Sequence, residues 1–88
     1  MMETVKLDGA QLCCREEAME RLAQALALPE WWGRNLDALH DCLTDPGRPM
    51  KLVLHNREDL EASPFGLRLL RVLNESAAEN PDLELVSE

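Results

Sequence analysis

Apolar residues change their spacing several times along the chain, and each change predicts an element. In "ETVKL", residues 3–7, Val5 and Leu7 alternate with polar neighbours, the period-two pattern of a strand with one face on a core, and Asp8-Gly9 ends it. From about Arg15 to Leu28 the spacing becomes helical, with Met19, Leu22, Ala23 and Leu26 forming one stripe that Pro29 stops or follows. "EWWG" reads as a loop. Asn35 is suited to cap a second helix running to about Leu43, which "DPGRP" ends; Leu36, Leu39 and Leu43 point one way on it, and Asp37, His40 and Asp41 the other.

"MKLVLH", residues 50–55, is a continuous apolar run that predicts a strand covered on both sides, and "NREDLEA" adds a short helical turn. After Pro64, the positions Leu67, Leu70, Val72, Leu73 and Ala77 outline a longer helix to about Glu79, and "NPD" leads into "LELVS" as the last strand. Strands separated by helices predict an α/β domain with a small parallel sheet and right-handed crossovers. No repeat or low-complexity linker interrupts the 88 residues, which read as a single domain, 1–88.

Composition narrows the function. The formal charge of −8, from nine basic and seventeen acidic residues, opposes sequence-independent attachment to nucleic acid or anionic lipid and favours a basic partner. Three cysteines, Cys13, Cys14 and Cys42, form no disulfide framework and read as thiols in a reducing cytosol. "MMETVKLDGAQ" has neither a basic leader nor an apolar stretch, and no segment approaches bilayer length, so a cytoplasmic location with no membrane partner is expected.

Leu, Val and Ala must build the core, because aromatic residues are only 3 % of the chain. Two of the three, Trp31 and Trp32, are adjacent in the loop before the second helix. Consecutive residues on an extended segment rarely face the same way, which predicts one ring in and one out; the alternative is that both plug the core. Asp37 and Asp41 share a helix face and repel one another by roughly 0.2–0.5 kcal/mol. Residues 28–45 carry Glu30, Asp37, Asp41 and Asp45 against Arg34 alone. A solvated helix face would account for this charge, and so would a surface built to meet a cationic pocket beside an exposed aromatic.

Asp37, His40, Asp41 and Cys42 also lie within six residues, as a metal or acid/base site might require. No second cluster supplies further ligands, His55 lies on or after a strand, and Cys42 falls between the two helix faces as a packed thiol does. No phosphate-binding glycine pattern, Gly-x-Ser-x-Gly elbow or Cys-x-x-Cys pair occurs. The chain therefore reads as a binding protein rather than an enzyme, with no metal or cofactor. His40 is open between a neutral packing contact, a pH-sensitive group and a half-exposed residue without a role.

The run "LALPEWWGRNLDALHDCLTD", residues 26–45, closely resembles the signature segment of the barstar family, intracellular inhibitors of secreted guanyl-preferring ribonucleases of the barnase type. The resemblance implies a barstar-like α/β fold, with a three-stranded parallel sheet packed against three to four helices. It also implies that the second helix and its preceding loop enter the nuclease active site in place of RNA, in a 1:1 complex. Asp41 would then stand for a substrate phosphate, Asp37 would be the second acidic contact, and Trp31 would pack on the catalytic histidine. Trp32 and His40 would belong to the same face; Gly33, Asn35 and Thr44 match further contact positions, and Glu75 a peripheral acidic one. Trp31 and Trp32 replace paired tyrosines, His40 an aromatic, Arg34 an acidic residue and Asp45 a glycine, while Pro81 stands at the family's second cysteine. These departures imply a partner other than barnase itself. The alternative is an acidic protein-binding module of the same fold whose basic partner is not a nuclease.

Overall fold

A computed structural model describes residues 3–12, 14–28, 32–33, 35–45 and 49–88 of the chain. Three strands, β1 (Glu3–Asp8), β2 (Met50–His55) and β3 (Leu83–Ser87), form one parallel sheet in the order β1-β2-β3. Helices α1 (Arg15–Ala25) and α2 (Leu36–Leu43) lie between the first two strands, and α3 (Arg57–Glu61) and α4 (Pro64–Glu79) between the last two. The predicted α/β architecture is thus the observed one, with four helices.

Register fixes which side chains meet. Val5 pairs with Leu52 and Leu7 with Leu54 on one side, and Leu52 pairs with Leu85 on the other. With Met50 and Leu83 they form the sheet face that joins a core containing Leu22, Leu26, Leu39, Leu69 and Leu73 from the helical layer. The expectation that β2 is covered on both faces holds at its centre, where Leu52 and Leu54 join the core on one face and Val53 is buried on the other. Val53 is buried but outside that core, because alternation turns it to the opposite face, where its register partners are Lys6 and Val86.

Helix α1 ends at Ala25, three residues before the expected end at Leu28. Ala27 takes a left-handed φ of 51°, Ala27 N–H donates to Gln24 O at 3.4 Å and Leu28 N–H to Ala23 O at 2.9 Å. These bonds close the helix in the manner of a Schellman cap. Leu26 remains buried past the last helical residue and Leu28 packs on the core, so the hydrophobic periodicity outlives the helix. Helix α4 is bounded by local signals: Ser63 accepts from Gly66 N–H at 3.0 Å, and Pro64 begins the helix where its missing donor is harmless. Gly66 allows α3 and α4 to touch, since a Cβ there would lie 2.0 Å from Leu60 O.

Asp8 closes β1 and caps a single 3-10 turn, Gly9–Gln11, accepting from Ala10 N–H at 3.0 Å. It also accepts from Asn56 Nδ2 at 2.8 Å, tying the end of β1 to the start of α3. These bonds, the Asn56 amide first and the Ala10 amide next, hold its carboxyl below the usual carboxylate range. Among the described residues, no helix is long and apolar enough to cross a membrane.

Candidate functional site

Helix α2 is fixed at its start by a short-range signal in the sequence. Asn35 Oδ1 accepts from Ala38 N–H at 2.7 Å, while Asn35 Nδ2 donates to Gly33 O at 3.2 Å. One side chain thus caps the helix and holds the preceding loop. Gly33 has a φ of 86°, so the Gly-x-Asn spacing combines a left-handed residue with the cap that secures it.

The inward face of α2 anchors it. Leu39 and Leu43 are buried and Leu36 packs partly against the core. Full burial of a leucine contributes about 2 kcal/mol, which outweighs the few tenths lost to repulsion between Asp37 and Asp41 on the outward face. Both aspartates are exposed, and neither makes an ion pair or hydrogen bond through its carboxylate among the described residues. Asp37 lies in the first turn, where the helix dipole favours it. Asp41 lies near the other end, where it does not.

Two contacts that no local pattern announces lock the far end of α2 to α4. His40 Nε2 meets Glu79 Oε2 at 2.5 Å, and the histidine side chain is 30 % exposed. Asn80, 4 % exposed, donates from Nδ2 to Leu43 O at 3.0 Å and accepts from Asp82 N–H at 3.0 Å. "NPD" reads correctly as a turn, but its asparagine also satisfies a carbonyl that the end of α2 would otherwise leave unpaired.

The remaining sequence candidates divide. Trp32 was expected at the partner surface; it is 4 % exposed and belongs to the core, because a large apolar ring in an aromatic-poor interior is worth more packed than presented. Trp31 lies outside the described residues, as do Cys13, Pro29, Glu30, Arg34 and residues 46–48. Thr44 forms the C-terminal cap of α2, and its Oγ1 donates to His40 O at 2.8 Å. Glu75 is exposed on α4 one turn before Glu79, paired to Arg71 at 3.1 Å. Cys42 is half-buried against the core and Cys14 is exposed; neither forms a disulfide among the described residues.

The surface so assembled presents carboxylates from α2 and α4 on a rigidly seated helix. Among the described residues, no three His, Cys, Asp or Glu side chains gather as metal ligands. The surface is an acidic face carried by a small α/β domain. Residues 2–85 match the family model described as Barstar (barnase inhibitor). A Bacillus subtilis (strain 168) protein, YrdF, whose name makes it a candidate ribonuclease inhibitor, is 34 % identical over 84 residues, covering 92 % of each chain. The chain belongs to the barstar family.

Proposed function

We propose that this protein is a cytosolic inhibitor of a guanyl-preferring, barnase-type ribonuclease, which it blocks in a 1:1 complex by laying α2 and its preceding loop across the RNA-binding cleft. The observation that carries the reading is the pair of carboxylates, Asp37 and Asp41, without partners among the described residues, on the outer face of a helix whose inner face is locked into the core. Family membership and the relative's name support a ribonuclease as partner.

In this mechanism Asp41 occupies the place of a substrate phosphate among basic side chains of the nuclease, and Asp37 supplies the second charge. Trp31 packs on the catalytic histidine, Gly33, Asn35 and Thr44 shape the contact, and Glu75 lies at its rim. Trp32 and His40 act from behind, the first by packing beneath the loop and the second by holding α2 to Glu79. Inhibition is steric and electrostatic. No bond is broken and no cofactor takes part. The net charge of −8 speeds the encounter with a basic partner, whereas desolvated contacts set how long the complex lasts.

The test is titration of the protein into a barnase-type ribonuclease from the same organism while RNA cleavage is followed at low and moderate salt. Stoichiometric inhibition that develops more slowly at higher salt, and weakens with Asp41→Ala, is expected. Truncating an interface hot spot costs about 2–8 kcal/mol, the upper end being that of a barstar complex, and the loss on Asp41→Ala should fall in that range. Absence of inhibition at equimolar concentration would transfer the acidic face to a basic partner that is not a nuclease. His40, which stands where the family has an aromatic and turns its ring to Glu79, is the feature that favours that second reading.

A further inference from the structure

The acidic face has a basic corner. A pocket of about 180 Å³ opens between the N-terminal ends of α1, α2 and α4, lined by Arg15, Asn35, Leu36, Asp37, Phe65 and Arg68. It is smaller than the cavities that enclose drug-sized ligands and suits one side chain. Asn35 and Asp37 belong to the proposed inhibitory surface, so a partner seated on α2 covers the mouth of this pocket.

Its two arginines differ from the others of the described chain. Arg21, Arg57 and Arg71 each pair with a glutamate four residues away, Glu17, Glu61 and Glu75. Arg15 and Arg68 have no acidic residue three or four positions away on their helices, and neither makes an ion pair among the described residues. In a chain of net charge −8, the two arginines that have no carboxylate partner among the described residues line the same pocket. Asp37 supplies one negative charge there against their two positive ones.

Covering such a pocket with a purely basic surface would remove two cations from water with one carboxylate between them, and an uncompensated charge in a closed interface is costly. A partner carboxylate placed between the guanidinium groups balances the site at two charges of each sign. The planar guanidinium suits that carboxylate geometrically, accepting it through paired N–H donors, and Phe65 gives an apolar wall for the methylene stem.

We infer that this pocket receives an aspartate or glutamate side chain from the rim of the ribonuclease cleft, gripped by Arg15 and Arg68, and that this contact selects which nuclease the protein inhibits. The inference rests on the ribonuclease reading above. It gives the partner a stated charge pattern: a basic cleft for Asp41, bordered beyond Asp37 by a carboxylate. A nuclease with lysine or arginine at that rim position is rejected by like charge.

The experiment compares Arg15→Gln, Arg68→Gln and Arg21→Gln with the unsubstituted chain in association and dissociation kinetics against a barnase-type ribonuclease from the same organism. Thermal melts verify that each variant is folded. All three changes make the inhibitor more negative by one charge, so steering alone predicts slightly faster association and equal or tighter binding for all of them. The pocket contact predicts that Arg15→Gln and Arg68→Gln dissociate about tenfold faster or more, the scale of one lost charged hydrogen bond, while Arg21→Gln does not. Arg68→Lys, which keeps charge but not the planar fork, should fall between. Dissociation rates for Arg15→Gln and Arg68→Gln that match Arg21→Gln overturn the pocket contact and leave the inhibitor reading standing. If the unsubstituted chain fails to bind the nuclease, the inhibitor reading fails and the pocket contact with it.

Discussion

Replacing Asp41 by Asn should have opposite effects on the free protein and on its complex. In the free protein, the Asp41 carboxylate lies one turn beyond Asp37 on the exposed face of α2, two residues before the end of an eight-residue helix, with no cation paired to it among the described residues. Like charges four residues apart cost about 0.2–0.5 kcal/mol, and an acid near a helix C-terminus costs about 0.3–1 kcal/mol more. Asn is nearly isosteric and has a similar helix propensity, so its introduction removes the charge and little else. The variant is therefore expected to be more stable by about 1 kcal/mol, which for a domain of this size raises Tm by about 4–8 °C. Thermal unfolding followed by circular dichroism at low salt checks this. The gain should shrink as added salt shortens the screening length toward 10 Å and below. Inhibition of the ribonuclease should weaken in the same variant. A Tm at or below that of the parent at low salt would refute the reasoning, because Asp41 would then have a stabilising partner in the free protein and its charge would not be held in reserve for another molecule.

Three further outcomes test the fold. Ser76 is fully buried in α4 and its Oγ has no hydrogen-bond partner among the described residues, so Ser76→Ala should raise the free energy of unfolding in urea by about 1 kcal/mol; a loss of stability would mean that the hydroxyl is satisfied. Gly66→Ala drives a Cβ into Leu60 O and should cost about 3 kcal/mol in the same assay, since backbone rather than a flexible side chain blocks it. Asp8 has its pKa lowered by its bonds to Asn56 and Ala10, so its contribution is fully present above the unfolded-state value and is lost as pH falls through the lower folded-state value. Stability of the parent should therefore fall more steeply than that of Asp8→Ala below about pH 4, and parallel pH profiles would remove Asp8 as the cause.

What could be read from the sequence was what adjacent residues decide. Asn35 and the Leu36, Leu39, Leu43 stripe specify α2 within nine residues, and Ser63-Pro64 specifies the start of α4, because caps and amphipathic faces act over one or two turns. The exposed Asp37 and Asp41 follow from the same periodicity. Periodicity misplaced the end of α1 because Leu26 and Leu28 continue to pack after Ala27 has broken the helix. It marked β2 as buried on both faces but left open what covers Val53, because a run of apolar residues looks the same whether a second layer or its strand neighbours do so. The position of Trp32 depends on which of two adjacent rings faces the interior, which alternation leaves open. His40 to Glu79, Leu43 to Asn80 and the meeting of Arg15 with Arg68 join residues far apart in sequence, and only tertiary packing brings them together.

The seating of α2 by Glu79 and Asn80 also sets an order of events during synthesis. The helix is made early, but the residues that hold its far end emerge some 40 positions later (separations of 39 and 37 residues), and closing loops of that length is delayed relative to local helix formation. A nascent chain that has exposed α2 but not yet Asn80 should show helical signal without the ability to hold a partner. Partner binding should therefore await Glu79 and Asn80, and chains truncated before and after residue 80, each carried clear of the ribosome by an added linker, should differ in nuclease capture far more than in helix content.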